Sequence, residues 1–230
     1  MPARNRIKQY IENGYYHIYN RGVEKRNIFQ EDQDYGVFLS YLKEYLSPKN
    51  KEELISKLQD ANTTYKEKDK ILKILRMNNF NEEITLIAYS LMPNHFHFFI
   101  KQTNPLSIDK FMQSLATRYT MYFNRKYKRV GFLCQGSYKA SLIETEEQFI
   151  YLSKYIHKQA VIHQGLTLRG KNQYPSSYPE YIGLRNSKWI HPEEILSYFS
   201  KVRQNLSYEA FVNEQDDLSI IQEKILEESI

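Results

Sequence analysis

The run Met92-Pro93-Asn94-His95-Phe96-His97-Phe98-Phe99-Ile100 constrains the fold more than any other part of the chain. It reads as a turn leading into a strand, because proline and asparagine favour turns and aromatic and β-branched residues favour a pleated surface. Alternate residues of a strand share a face with Cα atoms roughly 6.5 Å apart. His95, His97 and Phe99 therefore fall on one face, and Phe96, Phe98 and Ile100 on the other. Two imidazoles so placed can converge on one metal ion. A half-buried strand whose histidines meet ordinary hydrogen-bond partners has the same spacing, and the pair alone does not separate the two readings.

A second feature lies some fifty positions on. Thr145-Glu146-Glu147-Gln148 carries threonine followed three residues later by glutamine, the pattern that satisfies the first free amides of a helix. The helix predicted from there to about His163 places Tyr155 and Gln159 four residues apart, on one face, with Cβ atoms about 5–6 Å from each other. A phenol, with an ordinary pKa of about 10, becomes a competent nucleophile towards a phosphodiester near a cation. Tyr151 sits one turn earlier, but it is about 12 Å along the axis from Gln159. With 20 tyrosines in the chain, a core or surface aromatic at this spacing is equally expected.

The remaining periodicity predicts a β-α-β-β-α-β-α order. Tyr15 to Asn20 reads as the first strand and Asp32 to Leu46 as a helix ended by Pro48. Residues 48–79 read as a solvated helical hairpin broken near Ala61-Asn62-Thr63-Thr64. Ile84 to Ser90 and His95 to Lys101 read as an antiparallel hairpin. Ile108 to Tyr127 is a long helix with one apolar face and one basic face (Lys110, Arg118, Arg125, Lys126, Lys128, Arg129), which is either a solvated surface or a track for phosphates. Ser137 to Ile143 is the fourth strand. The expected fold class is α+β: a ferredoxin-like antiparallel sheet with packed helices, a helical insertion and a C-terminal helical extension. The expected division is a catalytic domain over 1–165 and an extension over 166–230 packed on it. Pro192 to Lys201 and Tyr208 to Glu214 read as short helices before an acidic end.

Length and charge agree with a single domain that meets a polyanion. The chain has 230 residues, and 32 basic against 27 acidic residues give a net charge of +5, a moderate excess. The lone Cys134 excludes an intramolecular disulfide. The start lacks a secretory signal and no stretch approaches about 20 apolar residues, so a cytoplasmic protein is expected.

Read in order, Tyr16-His17-Ile18-Tyr19-Asn20-Arg21-Gly22, Met92-Pro93-Asn94-His95-Phe96-His97, Gly131-Phe132-Leu133-Cys134-Gln135-Gly136-Ser137-Tyr138-Lys139 and Tyr155-Ile156-His157-Lys158-Gln159 resemble the single-tyrosine HUH transposases. That family includes insertion-sequence transposases and REP-associated tyrosine transposases, and the similarity runs over roughly residues 10 to 185. The resemblance implies that His95, His97 and Gln159 hold a divalent metal ion, Mg²⁺ or Mn²⁺, and that Tyr155 is the nucleophile. It implies a single-stranded or hairpin-forming DNA substrate, cut through a 5′-phosphotyrosine intermediate and rejoined without ATP. Asn20, Arg21, Arg26, Arg118, Gln135 and Lys139 are the expected DNA contacts.

Many relatives carry Asn-Pro where this chain has Gln159-Ala160, which leaves the subfamily open but not the ligand chemistry. A homodimer with shared sites is the expected assembly. Ordinary histidine titration near pH 6.5 sets an expectation that activity falls below about pH 6. The alternative function is a domesticated hairpin-DNA-binding protein that does not transpose. A cupin-like metal enzyme is disfavoured by the long helices, and a two-histidine phosphoesterase by the presence of only one His-x-His pair.

Overall fold

The computed structural model describes residues 10–161 and 173–214. The expectations about the chain start, the helix end near His163 and the acidic end from Asp216 lie outside the described residues. Four strands, β1 (Tyr15–Arg21), β2 (Ile84–Met92), β3 (His95–Gln102) and β4 (Lys139–Leu142), form one sheet. Their order is β2-β3-β1-β4 and every neighbouring pair is antiparallel. With α1 (Asp32–Leu46) between β1 and β2 and α4 (Ser107–Lys126) between β3 and β4, this is the expected ferredoxin-like arrangement. The 48–79 segment folds as α2 (Lys51–Gln59) and α3 (Tyr65–Arg76), as its charge pattern predicts.

Strand alternation sorts the sheet into two cores. Tyr16 and Ile18 of β1 and Phe96, Phe98 and Ile100 of β3 pack with Phe38, Leu42, Phe111 and Leu115 of α1 and α4. On the opposite face, Ile87, Ala88 and Phe99 pack with Leu152 and Ile156 of α5 (Glu146–Ala160). Each such side chain, once fully buried, contributes about 1.5–3 kcal/mol. A bulge in β2 between Leu86 and Ala88 shifts the phase of the strand. Beyond it, Tyr89 and Leu91 stay in the first core, and Ser90 pairs opposite His97.

The β2–β3 turn is clamped from outside. Pro93 O accepts from the amides of Ile28 and Phe29, and Asn94 O accepts from Gly22 N at 2.7 Å. Gly22 is required there, since a Cβ would lie 2.1 Å from Arg26 O. The clamp fixes the position of His95, the first residue after the turn.

Residues 173–214 cover the β2 edge, with Leu91 N donating to Pro175 O, Ser177 N to Tyr89 O and His191 N to Leu86 O. They contain α6 (Tyr178–Tyr181), α7 (Glu193–Leu196) and α8 (Tyr208–Asn213). The helix expected over Pro192 to Lys201 is a single turn. Ser200 Oγ takes the amides of Val202 and Arg203, the local side-chain bonding that competes with helix continuation. The fourth strand is likewise shorter than the stretch from Ser137 to Ile143, starting three residues after Gly136, which has φ +69°.

Candidate active site

Thr145 caps α5 by accepting from Gln148 N at 3.2 Å, while Gln148 Oε1 accepts from Glu144 N at 2.9 Å. This start, together with Leu152 and Ile156 on the sheet side, sets the helix so that Tyr155 lies over β3 of its own chain. The Tyr155 ring is edge-on to His97 at 5.5 Å between centroids and to His17 at 6.0 Å, and the residue is 6 % exposed. Tyr151 points elsewhere, packing edge-on against Phe211 of α8 at 5.3 Å.

His95 and His97 share a face, as alternation requires, with ring centroids 5.0 Å apart and planes at 90°. His95 Nδ1 lies 2.6 Å from Asn94 Oδ1. That oxygen can only accept, so the proton sits on Nδ1 and the lone pair on Nε2. His95 Nε2 is buried and meets no hydrogen-bond partner among the described residues. His97 Nδ1 lies 2.9 Å from His17 Nε2, the two rings stacking at 13°. Burial, and secondarily the Arg21 cation, pushes the His95 pKa down to about 4. Burial, with His17 and His95 nearby, takes His97 well below the ordinary histidine range.

These residues fit a divalent ion. A fixed tautomer with an unsatisfied, buried imidazole nitrogen is the donor a metal needs, and neutral rings do not have to lose a proton to bind. No three His, Cys, Asp or Glu side chains group as a metal site among the described residues, and a side-chain amide oxygen is another type of ligand. Gln159 is of such a type, half-buried one turn after Tyr155. Its side chain makes no hydrogen bond to either histidine.

The expected DNA contacts divide. Arg21 pairs with His95 in the β1–β3 register, and its Nε donates to Gln135 Oε1 at 2.7 Å, so both stand at the histidine end of the sheet. Lys139 is exposed at the start of β4, opposite Tyr19. Asn20 is buried and ties β1 to the loop before β4, its Nδ2 donating to Gly136 O and its Oδ1 accepting from Arg21 N. Arg26 is held by Glu24 at 2.9 Å. Arg118 is not brought into the group. It lies in the α1/α4 layer, stacked on Tyr41 at 3.7 Å and paired with Glu44 at 2.7 Å. The basic face of α4 is further depleted by Lys126, which is bound to Asp34 and Glu31.

Three residues of the site were not singled out by sequence reasoning. His17 supports His97, and Ser90, opposite His97, has a buried Oγ without a hydrogen-bond partner among the described residues. His157, two residues after Tyr155, bonds Tyr208 OH at 2.7 Å and Ser177 Oγ at 2.8 Å, and Ser177 Oγ accepts from Tyr89 N at 2.9 Å. Burial pushes the His157 pKa down to about 3. This chain of bonds ties α5 to β2 and to the C-terminal segment. The usable signal for His17 was its strand alternation with Ile18.

Residues 54–159 match the family model of IS200-like transposases, a span that contains both histidines and Tyr155 and ends on Gln159. No curated protein matches the chain. Among solved structures, a REP-associated tyrosine transposase bound to a REP hairpin is similar at 9 % identity, over 82 % of this chain and 98 % of that one, with a TM-score of 0.45. A Deinococcus radiodurans R1 protein described as a transposase is similar at 17 % identity over 68 % of this chain and 98 % of that one, with a TM-score of 0.27. No helix among the described residues is long and apolar enough to cross a membrane.

Proposed function

We propose, from the match of residues 54–159 to the IS200-like transposase model, that the chain is a metal-dependent single-stranded DNA endonuclease and strand transferase acting on hairpin-forming DNA. The observation that carries the reading is Tyr155 set over His97 within one chain, 5.5 Å between ring centroids. A nucleophile and a neutral imidazole pair, His97 buried and His95 half-buried, are thereby delivered together from a helix and a strand.

In this reading the Tyr155 phenolic oxygen attacks the phosphorus of one phosphodiester and the bond to the 3′ oxygen breaks. The phenol's proton is matched by one gained at the 3′ oxygen. The products are a 5′-phosphotyrosine and a free 3′-hydroxyl, and because the ester energy is conserved, a 3′-hydroxyl can reverse the step on another end. His95, His97 and Gln159 are the residues that would hold Mg²⁺ or Mn²⁺, which supplies positive charge to the developing phosphorane when bound. His17 and Asn94 hold the two histidine rings in orientation, and the packing of α5 excludes water from around the phenol.

The test is incubation of the protein with end-labelled single-stranded hairpins and Mn²⁺, followed by denaturing electrophoresis for a covalent protein–DNA adduct. The adduct is expected with the wild type and absent with Tyr155→Phe, which keeps the ring and removes one oxygen, while Tyr151→Phe retains it. Mass spectrometry that finds the nucleotide on Tyr151, or on no tyrosine, overturns the assignment.

A further inference from the structure

The loop between α4 and β4 presents Phe132 to solvent at 86 % exposure, next to Val130 at 92 %. An exposed phenylalanine on a floppy loop would carry no message, but this one is tied at both ends. Asn124 Nδ2 donates to Gly131 O at 2.8 Å and Arg129 N donates to Asn124 O at 2.8 Å. On the other side Val23 N donates to Leu133 O at 3.0 Å, Cys134 bridges to Gly22, and Gln135 N donates to Arg21 O at 2.8 Å. Leu133 is buried in the α1/α4 core. Its insertion pins the backbone where Phe132 leaves it, and Gly131 makes the bend with φ +85°.

The position of the loop matters as much as its rigidity. It is sewn to Arg21, Gly22 and Val23, and Arg21 pairs in register with His95. Phe132 is therefore fixed at the sheet end where the histidine pair begins. Its sequence neighbours Lys128 and Arg129 are cationic, and the half-exposed guanidinium of Arg21, bonded through Nε to Gln135, stands on the adjoining strand end. A held aromatic face with cations beside it is the combination that binds unpaired nucleotides, the ring stacking on a base and the cations meeting phosphates. A second copy of the chain is the less suited occupant, because this surface would bring like charges together.

Resting on the transposase reading above, we infer that Phe132 is a stacking platform for an unpaired base of the DNA strand entering the site, with Arg129 and Arg21 holding the flanking phosphates. The backbone on either side of the ring is already held, so little main-chain freedom is lost on binding. Because Phe132 is exposed, its replacement leaves the fold intact.

The experiment measures binding of a short single-stranded oligonucleotide carrying a fluorescent purine analogue, read by anisotropy and by quenching of the analogue. Phe132→Ala is expected to weaken binding by about tenfold, the effect of losing one base–aromatic stack, and to abolish quenching. Phe132→Trp is expected to retain both, and Val130→Ala to change affinity less than about twofold. Equal losses with Phe132→Ala and Val130→Ala would reduce the site to a greasy contact and overturn stacking. A Phe132→Ala protein that binds and quenches like wild type, while wild type still forms its tyrosine adduct, overturns this inference alone. A wild type that neither binds the strand nor forms the adduct overturns both readings. Sedimentation that shows Phe132→Ala dissociating a dimer would assign the ring to self-association instead.

Discussion

On the α1/α4 side of the sheet, β3 presents Phe96, Phe98 and Ile100 to a core beside which a buried carboxylate, Asp34, is fully provided for. Its oxygens accept from Gln30 N, Glu31 N, Tyr122, Tyr127 and Lys126. Burial alone would raise the Asp34 pKa, yet the bonds from Lys126 and Tyr127 hold it below the usual carboxylate range. On the α5 side, the same strand presents His95 and His97, and the neighbouring strand Ser90. There His95 Nε2 and Ser90 Oγ are buried without hydrogen-bond partners among the described residues. A buried polar atom left unsatisfied costs about 1–3 kcal/mol. One face has spent its polar groups on stability, whereas the other holds them in reserve, which is how a site that binds something differs from a core.

The largest expected difference between the faces is in what a truncation destroys. Phe98→Ala should cost about 3–5 kcal/mol of stability through lost burial and a residual cavity, enough to unfold much of the population. His97→Ala should abolish DNA cleavage while leaving a cooperative melt and hairpin affinity within about tenfold, since binding comes chiefly from phosphate contacts elsewhere. Urea melts and gel shifts on both variants decide it. Equal losses of folding, binding and cleavage would make the histidine face a second core.

A further contrast concerns assembly. Within one chain Tyr155 lies over His97, whereas the expected homodimer would share each site between copies. Mixing His97→Ala with Tyr155→Phe protein should therefore give no recovered cleavage. Recovery in a verified mixed dimer would mean that α5 is exchanged between copies.

Much of this was legible from residue order. The hairpin, the capped tyrosine helix and the 48–79 insertion follow from local turn, cap and periodicity signals. The polar supports did not, because they depend on register. That His17 meets His97, and Ser90 faces it, follows from the β1–β3 and β2–β3 pairing and from a bulge at Ile87 that no local pattern marks. Arg118 illustrates the reverse error. Its basic neighbours on α4 suggested a phosphate track, but Glu44 on α1 lies near enough to neutralise it, a tertiary fact that periodicity does not contain.

A smaller effect tests the bond chain behind the tyrosine. His157→Ala leaves Ser177 Oγ and Tyr208 OH each short of a buried partner, so a loss of about 1–3 kcal/mol is expected. The loss should be accompanied by faster hydrogen exchange in α5 and in 173–214 but not in α1 or α4. Uniform acceleration would show that the segment does not hold the helix separately.

The smallest effect is electrostatic and corrects the pH expectation. A free histidine titrates near 6.5, but His95 is pushed down to about 4, first by burial and second by Arg21. Between those two values the unfolded chain binds a proton that the folded chain refuses, so stability contributed by neutral His95 is present above about 6.5 and is lost as pH falls towards 4. The acid limb of cleavage should accordingly lie nearer pH 4–5 than 6, and extra Mn²⁺ should move it lower, because metal and proton compete for the same nitrogen. Arg21→Gln removes the minor cause only. By imidazole NMR, the His95 pKa in that variant should rise by a fraction of a unit and stay well below 6.5, with the acid limb following it. A return all the way to 6.5 would mean that the cation and not burial keeps the ring neutral, and the histidine face would then be wetter than its packing indicates.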